Sequence, residues 1–447
     1  MTTHRDNILS QISHIDEVIL YLSYKLNYSR QKNWWESVKY YKKTQREDIA
    51  FCYEMLDKVS RSFSHIIKNL PKGLSLEILV FYLGCRALDT VEDDIHAFDG
   101  DIKKRAKYLK TFYKHFTPLY YVGEDLYSPL LENYDRIGNV FELLNPKSQK
   151  VIKKTIKKMG RGMSKYLHYT IETKAQYNEY CYYVAGLVGE SLTKLFSINN
   201  YETDDFKNKI LKSKDIFANH GYGGLDKSMG LFLQKTNIIR DYREDVDENK
   251  QWWPTEIWSK YKPNFKDFSN DIESRNCINE LVVDAMELIP DIFSYHEHIN
   301  NKNIFESCAI PQIMAIATLD KCYDNPDIFT GTVKIRKGLA LKIMHSSKTM
   351  EDVYYWFHKY VTSIRNKIRD DDPNKGKMLR ICNIILYIIS KKYTPPLIST
   401  VTKVIIISVL TCSVLLVCLF LALYYLVPII LKKINPLPDF IMKLFKT

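Results

Sequence analysis

The sequence predicts an all-α protein: a single-domain helical bundle around a central cavity, followed by a C-terminal transmembrane helix. Three observations carry this reading. Turn residues are scarce, with 16 Gly and 15 Pro in 447 residues. Long stretches repeat apolar residues at the helical 3, 4, 7 spacing while strand-like alternation is sparse. Residues 404–431 contain no charged side chain.

Taken in chain order, periodicity places helices at roughly 47–69, 74–94, 101–116, 147–170, 176–197, 224–247, 274–300, 306–323, 332–346 and 349–368. No internal repeat of 20 to 50 residues is visible, which argues against a solenoid. Residues 1–44 form an N-terminal segment with no assigned role, and 45–369 the helical domain. Residues 370–403 read as a linker, because they run through Asp370-Asp371-Asp372-Pro373, several basic residues and the Tyr393-Thr394-Pro395-Pro396 break, although Met378 to Ser390 is apolar enough for a helix. Before Pro428 the apolar run measures about 36 Å at roughly 1.5 Å per residue, enough to cross a bilayer with some tilt. A short tail, 432–447, begins with Lys432 and Lys433.

Composition narrows the function classes. The nine cysteines form no C-x-x-C pair and lie mostly in apolar settings, as expected of small buried hydrophobes in a reducing compartment. Zinc-ligand spacings are missing. The formal charge of +12 suits an anionic membrane face or a polyanionic ligand. The basic residues are scattered without a nucleic-acid fold signature, so no nucleic-acid partner is expected. Met1 to Ser10 is largely polar, so a C-terminal span would insert after synthesis and leave the large domain in the cytosol. Asn27-Tyr28-Ser29 is a formal glycosylation sequon that a cytosolic domain would not use.

The most informative segments are two acidic clusters, Asp89-Thr90-Val91-Glu92-Asp93-Asp94 and Asp241-Tyr242-Arg243-Glu244-Asp245, each at the end of a long apolar stretch. Each offers carboxylates four residues apart, about one helical turn, so both point to one side. Tyr82, Arg86, Asp89 and Asp93 form one stripe; Gln234, Asn237, Asp241 and Asp245 form another. A single copy would read as a solvated helix face. Two copies on apolar helices must look into water, a partner or a cavity, since burying such groups unpaired costs roughly several kcal/mol. A pair facing a pair could hold several magnesium ions, which could grip a diphosphate leaving group.

Three further segments complete a pattern: Ser60-Arg61-Ser62-Phe63, Tyr180 through Gly189, and Cys308-Ala309-Ile310-Pro311-Gln312. With both acidic clusters they make the chain resemble the squalene synthases, a family of head-to-head trans-prenyl synthases. The resemblance covers roughly 45–345 and the C-terminal anchor. Lys334-Ile335-Arg336 and the anchor favour squalene formation over the phytoene-forming relatives, and only the hydrophilic stretch Asn199 to Asp215, expected as a surface loop, looks longer than the family needs.

The resemblance implies an isoprenoid-synthase-type bundle that condenses two farnesyl diphosphates to presqualene diphosphate and reduces this with NADPH to squalene for sterol biosynthesis, at the endoplasmic reticulum membrane. Mg²⁺, or Mn²⁺ in its place, would be held by Asp89, Glu92 and Asp93 on one wall and by Asp241 and Asp245 on the other. Tyr183 is the candidate for proton transfer, on a helix whose Gly186 and Gly189 would permit close approach of a bulky substrate. Tyr82 and Arg86 are further catalytic candidates. Ser60, Ser62, Phe63, Gln234 and Asn237 would contact substrate, and Phe305 could line the apolar region. No Rossmann fingerprint exists, because Gly221-Tyr222-Gly223-Gly224 lacks the third glycine and a preceding strand. NADPH would therefore be held by Arg61, Arg86, Arg240, Lys334 and Arg336, guanidinium groups being suited to phosphate. Two alternatives stay open: a phytoene- or dehydrosqualene-type synthase without the NADPH step, and a catalytically silent membrane scaffold.

Overall fold

The computed structural model describes residues 17, 46–60, 62–123, 126–214, 221–394 and 400–434. Arg61, the sequon and all of residues 1–44 except Glu17 lie outside this set. The described secondary structure is entirely helical, as the scarcity of turn residues and the 3.6-residue periodicity require. The chain divides into two units, Met1–Tyr393 and Thr394–Thr447.

Two helices of the first unit position the acidic clusters. Lys72–Asp93 buries Leu74, Ile78, Leu79, Phe81, Leu83, Ala87, Leu88 and Val91 on its apolar face. It ends where Asp94 turns its carboxylate onto the backbone N–H groups of His96, Ala97 and Gly123, which supply partners that a continuing helix would have taken. Leu225–Arg240 likewise buries Leu231, Phe232, Ile238 and Ile239. It stops at Asp241, and a short helix, Tyr242–Asp247, follows. The single expected helix is thus broken at the acidic cluster, yet Asp245 N still donates to Asp241 O at 2.9 Å, so the one-turn spacing survives.

The segment expected as one helix over 176–197 is also interrupted. Thr173 and Gln176 form a capping box at the start of Lys174–Cys181, the chain widens into a π-helical turn over Tyr182–Gly186, and Leu187–Ile198 continues it. The cause is close packing. A Cβ at Gly189 would lie 2.0 Å from the Asp226 carbonyl oxygen, and one at Gly230 2.1 Å from that of Ala185. These glycines let two backbones touch, and the extra residue in the turn relieves the helix that carries the tyrosines. Gly186 and Gly189 therefore serve contact with Leu225–Arg240, where Gly186 meets Leu231. The substrate approach expected of them is corrected accordingly.

Two expected connections prove structured. Within the stretch 199–214, Asp204–Leu211 is a helix capped by Thr203 that buries Phe206 and Ile210. The presumed linker is the larger correction: Lys375–Ser390 is a helix of the first unit with Met378, Ile381, Cys382, Ile385 and Ile389 buried. Asp372, which looked like part of an acidic linker, is itself buried and accepts hydrogen bonds from Asn279 at 2.7 Å and Asn374 N at 2.7 Å.

The second unit holds one helix, Thr400–Ile434. Its described side chains are mostly apolar and exposed, Val409, Leu415, Phe420 and Leu426 among them; the hydroxyls of Thr411 and Ser413 turn back onto the helix's own carbonyls. Among the described residues no helix is long and apolar enough to cross a membrane. The transmembrane span expected over 404–431 falls in part on residues whose side chains lie outside the described set.

Deep in the first unit, Asp284 accepts from Lys235 and Lys174, each at 2.6 Å. Burial alone would raise the Asp284 carboxyl, but the two ammonium groups outweigh it and hold it at about 2. Lys235→Met should therefore lower stability by about 3 kcal/mol in urea unfolding, because it strips a buried carboxylate of one partner. A chain ending at Tyr393 should fold cooperatively. One ending at Asp370 should not, since it uncovers five core side chains worth about 1.5–3 kcal/mol each. Circular dichroism melts of the two truncations check this, and equal stability would place Lys375–Ser390 outside the core.

Candidate active site

Asp89, Glu92 and Asp93 occupy the last turn of Lys72–Asp93. Asp89 keeps about 31% of its side chain exposed and lies 3.6 Å from Arg86. Burial pushes its carboxyl up to about 7, with Arg86 opposing and Asp93 adding to the rise. A group crowded by protein yet reached by water sits in a recess. Glu92 is buried, its Oε1 has no hydrogen-bond partner among the described residues, and burial followed by the charges of Asp93 and Asp89 drives its carboxyl well above the ordinary range.

On the second wall, Arg240 donates from Nε to Asp241 at 2.6 Å. Burial lifts Asp245 to about 8, with Asp241 contributing and Lys250 opposing. Gln234 is half-buried and Asn237 exposed on the same helix.

The two walls meet through a residue the sequence did not single out. Lys250 Nζ reaches Asp93 at 2.6 Å and Glu248 at 2.8 Å, while its backbone N–H donates to the Asp245 carbonyl at 2.7 Å. One side chain thus touches the first cluster from a backbone tied to the second. Asp93 is also among the charges that raise Asp245. Lys250 was illegible because a lone lysine five residues beyond an acidic cluster has no distinguishing spacing.

The other candidates gather around this pair. Tyr82 donates to the Val59 carbonyl at 3.4 Å, its ring is 6.0 Å from that of Phe63, and burial raises its phenol while Arg86 opposes. Among the described residues, neither the buried hydroxyl of Ser60, next to Val59, nor the buried Nε of Arg86 has a hydrogen-bond partner. Ser62 begins the helix Ser62–Lys68. Phe305 is buried and packs edge-on against His296, which makes it core. Lys334 lies 3.7 Å from Glu244 of the second cluster, and Thr332 donates to the same carboxylate, so the basic segment is tied to the second wall. Arg336 pairs with Glu17.

The tyrosines divide the work differently from expectation. The one that senses the first wall is Tyr180, whose phenol is driven up by burial and then by Glu92, Asp93 and Asp89. It stacks on Trp252 at 4.3 Å and meets Tyr166 edge-on. Tyr183 sits so tightly on the neighbouring helix that a Cβ at Gly162 would lie 2.2 Å from its Cγ. Burial and the Glu179 carboxylate raise its phenol, and Lys165 opposes. Glu179 also accepts from Tyr166 at 2.6 Å and Lys165 at 2.5 Å.

Among the described residues no three His, Cys, Asp or Glu side chains cluster tightly enough to hold one metal ion. The donor set nonetheless suits hard divalent cations. Every donor is a carboxylate, two are raised into the neutral range, one buried oxygen is orphaned, and an ammonium group is drawn between the walls.

Comparison with known proteins places the chain. The squalene/phytoene synthase family profile matches residues 56–338. The chain is 40% identical to a squalene synthase of Solanum lycopersicum, over 75% of this chain and 80% of that protein. It is 38% identical to a protein of Arabidopsis thaliana named inactive squalene synthase 2, over 74% and 78%. A solved complex of TcSQS with a ligand superposes with a TM-score of 0.71 at 32% identity, covering 77% of this chain and 99% of that one. Similarity of this extent and the shared helical fold establish that the chain belongs to the squalene/phytoene synthase family.

Proposed function

We propose that this protein condenses two farnesyl diphosphates head-to-head to presqualene diphosphate and reduces that intermediate with NADPH to squalene, as a step of sterol biosynthesis. The observation that carries the reading is the meeting of two buried-edge carboxylate walls at Lys250. A relative named inactive shares 38% identity, so identity alone does not decide activity. The intact carboxylates argue against the silent-scaffold alternative.

Bound Mg²⁺ would neutralise the departing diphosphate, and NADPH would supply the hydride. Asp89, Glu92, Asp93, Asp241 and Asp245 would hold the metal ions, and Arg86 and Arg240 keep their carboxylates oriented. Ser60, Gln234 and Asn237 offer uncharged polar groups beside the walls. Tyr180 and Trp252 present stacked aromatic faces next to the first wall, which exclude water from a carbocation and favour positive charge. Burial and Glu179 both disfavour the Tyr183 phenolate. Tyr183 is thus held as a neutral phenol beside a carboxylate that Lys165 and Tyr166 already engage, and it would serve the first stage by donating a hydrogen bond or a proton. Lys334 and Arg336, with Arg61, Arg86 and Arg240, would contact the nucleotide phosphates.

We also propose attachment to the endoplasmic reticulum membrane through the second unit, with the catalytic unit in the cytosol. The mostly apolar, exposed side chains described in Thr400–Ile434 support attachment, and nine free cysteines support a reducing compartment.

Incubating the protein with farnesyl diphosphate and Mg²⁺, with and without NADPH, tests the whole reading: squalene should form only with the nucleotide. Dehydrosqualene or phytoene-type product regardless of NADPH would establish the alternative. Asp89→Asn or Asp241→Asn should lower farnesyl diphosphate consumption at least about 100-fold, the scale expected when transition-state charge loses its stabiliser. Wild-type turnover in either variant would sink the two-wall site. Replacing Lys334 and Arg336 together by Ala should weaken NADPH binding by about 1.5–3 kcal/mol per charged hydrogen bond. Presqualene diphosphate should then accumulate at low NADPH, and excess nucleotide should partly restore squalene.

A further inference from the structure

Glu17 is the one described residue of the N-terminal segment, and it grips a residue of the proposed nucleotide site. Arg336 donates to its carboxylate twice, from Nε at 3.0 Å and from Nη2 at 2.7 Å. The Glu17 side chain is 8% exposed and that of Arg336 33%, so a buried carboxylate holds a guanidinium that still reaches solvent. The contact is built into the backbone on both sides. Arg336 is the N-cap residue of the helix Lys337–His345. At Gly338, the second residue of that helix, an added Cβ would lie 2.6 Å from Glu17 Cβ and 3.4 Å from its carbonyl carbon. Only glycine at 338 lets the N-terminal segment come this close.

We propose that Glu17 is a positioning residue for the nucleotide-dependent half-reaction: the N-terminal segment fixes the plane of the Arg336 guanidinium so that it meets a phosphate of NADPH preorganised. The inference rests on the reading of Arg336 as a nucleotide contact. Its physical basis is the two-point carboxylate–guanidinium fork, which fixes orientation as a single-point ammonium pair cannot. A long, rotamer-rich side chain left to itself must lose that freedom when the ligand binds, and a side chain already held loses less. Lys334, two residues earlier, is tied by Glu244 to the second acidic wall. The short segment carrying both cations is thereby pinned at one end by that wall and at the other by the N-terminus. This gives residues 1–44 a role that no catalytic motif within them announced.

The test uses the full-length protein with Glu17→Gln, Glu17→Asp, Arg336→Ala and the Glu17→Gln/Arg336→Ala double variant. NADPH affinity is measured directly by nicotinamide fluorescence on binding, and KM and kcat are measured for squalene formation. Gln keeps the volume of Glu but opposes an amide N–H₂ to the guanidinium, so Glu17→Gln should raise Kd and KM for NADPH roughly 3- to 10-fold with kcat at saturating nucleotide within about twofold. Glu17→Asp, which keeps the charge, should recover part of the loss. In the Arg336→Ala background Glu17→Gln should add nothing. Independent, additive effects would overturn the proposal, as would a Glu17→Gln variant with wild-type Kd. Tighter NADPH binding would overturn it too, showing that the carboxylate competes with the phosphate. A fall in melting temperature and kcat with Kd unchanged would make the pair a purely structural tether. If Arg336→Ala itself left Kd unchanged, the nucleotide reading of Arg336 would fail and the proposal with it. Retention of the Arg336→Ala effect beside a silent Glu17→Gln would sink the proposal alone.

Discussion

Everything in the catalytic unit is arranged around a concentration of negative charge that the fold does little to relieve. Asp89 and Asp93 sit at the C-terminal end of one helix and Asp241 at the C-terminal end of another. There the partial negative charge of the backbone opposes carboxylates by about 0.3–1 kcal/mol each at an exposed site. Burial and mutual repulsion then lift Asp89 to about 7 and Asp245 to about 8. A helix selected for stability would place lysine or arginine at such ends. Carboxylates placed there instead mark a site whose charge is meant to be met by something bound, and pKa values shifted this far belong to functional clefts more often than to structural surface.

The protein's own cations fill part of that role. Arg86 and Arg240 each pair with a carboxylate on their own helix, which orients it without joining the walls. Lys250 joins them. The proposed nucleotide cations, Lys334 and Arg336, are held in turn by Glu244 and Glu17. The pairing leaves each basic residue restrained, so a phosphate bound there, as proposed, would meet an assembled surface rather than searching side chains. Most of these contacts are at least partly exposed and contribute little to stability. Their value lies in placement.

Glycine decides how closely the supporting helices come together. Gly189 and Gly230 allow the backbone of the tyrosine segment to touch that of Leu225–Arg240, and the π-helical turn over Tyr182–Gly186 follows from that contact. Tyr180, in the helix before the turn, senses the charges of the first acidic wall, and Tyr183, within the turn, those of Glu179 and Lys165.

Helical class, the two acidic stripes and the apolar C-terminal run were legible in the sequence because each depends on local periodicity, and periodicity survives folding. The one-turn spacing of Asp241 and Asp245 held even where the helix broke, because a single i to i+4 hydrogen bond was enough to preserve it. What the sequence could not supply was anything defined by contact between distant segments. Lys250 between the walls, Trp252 against Tyr180, Glu17 on Arg336 and the inclusion of Lys375–Ser390 in the core all join residues far apart in the chain or lacking a spacing signature. Acidic and Pro-containing flanks made 370–403 look like a linker, but Asp372 finds buried partners in Asn279 and Asn374, and that satisfaction is invisible to composition. Local pattern determined which residues stand out as candidates; the tertiary structure decided which of them face one another, because charge pairing and backbone contact depend on distance in space and not on position along the chain.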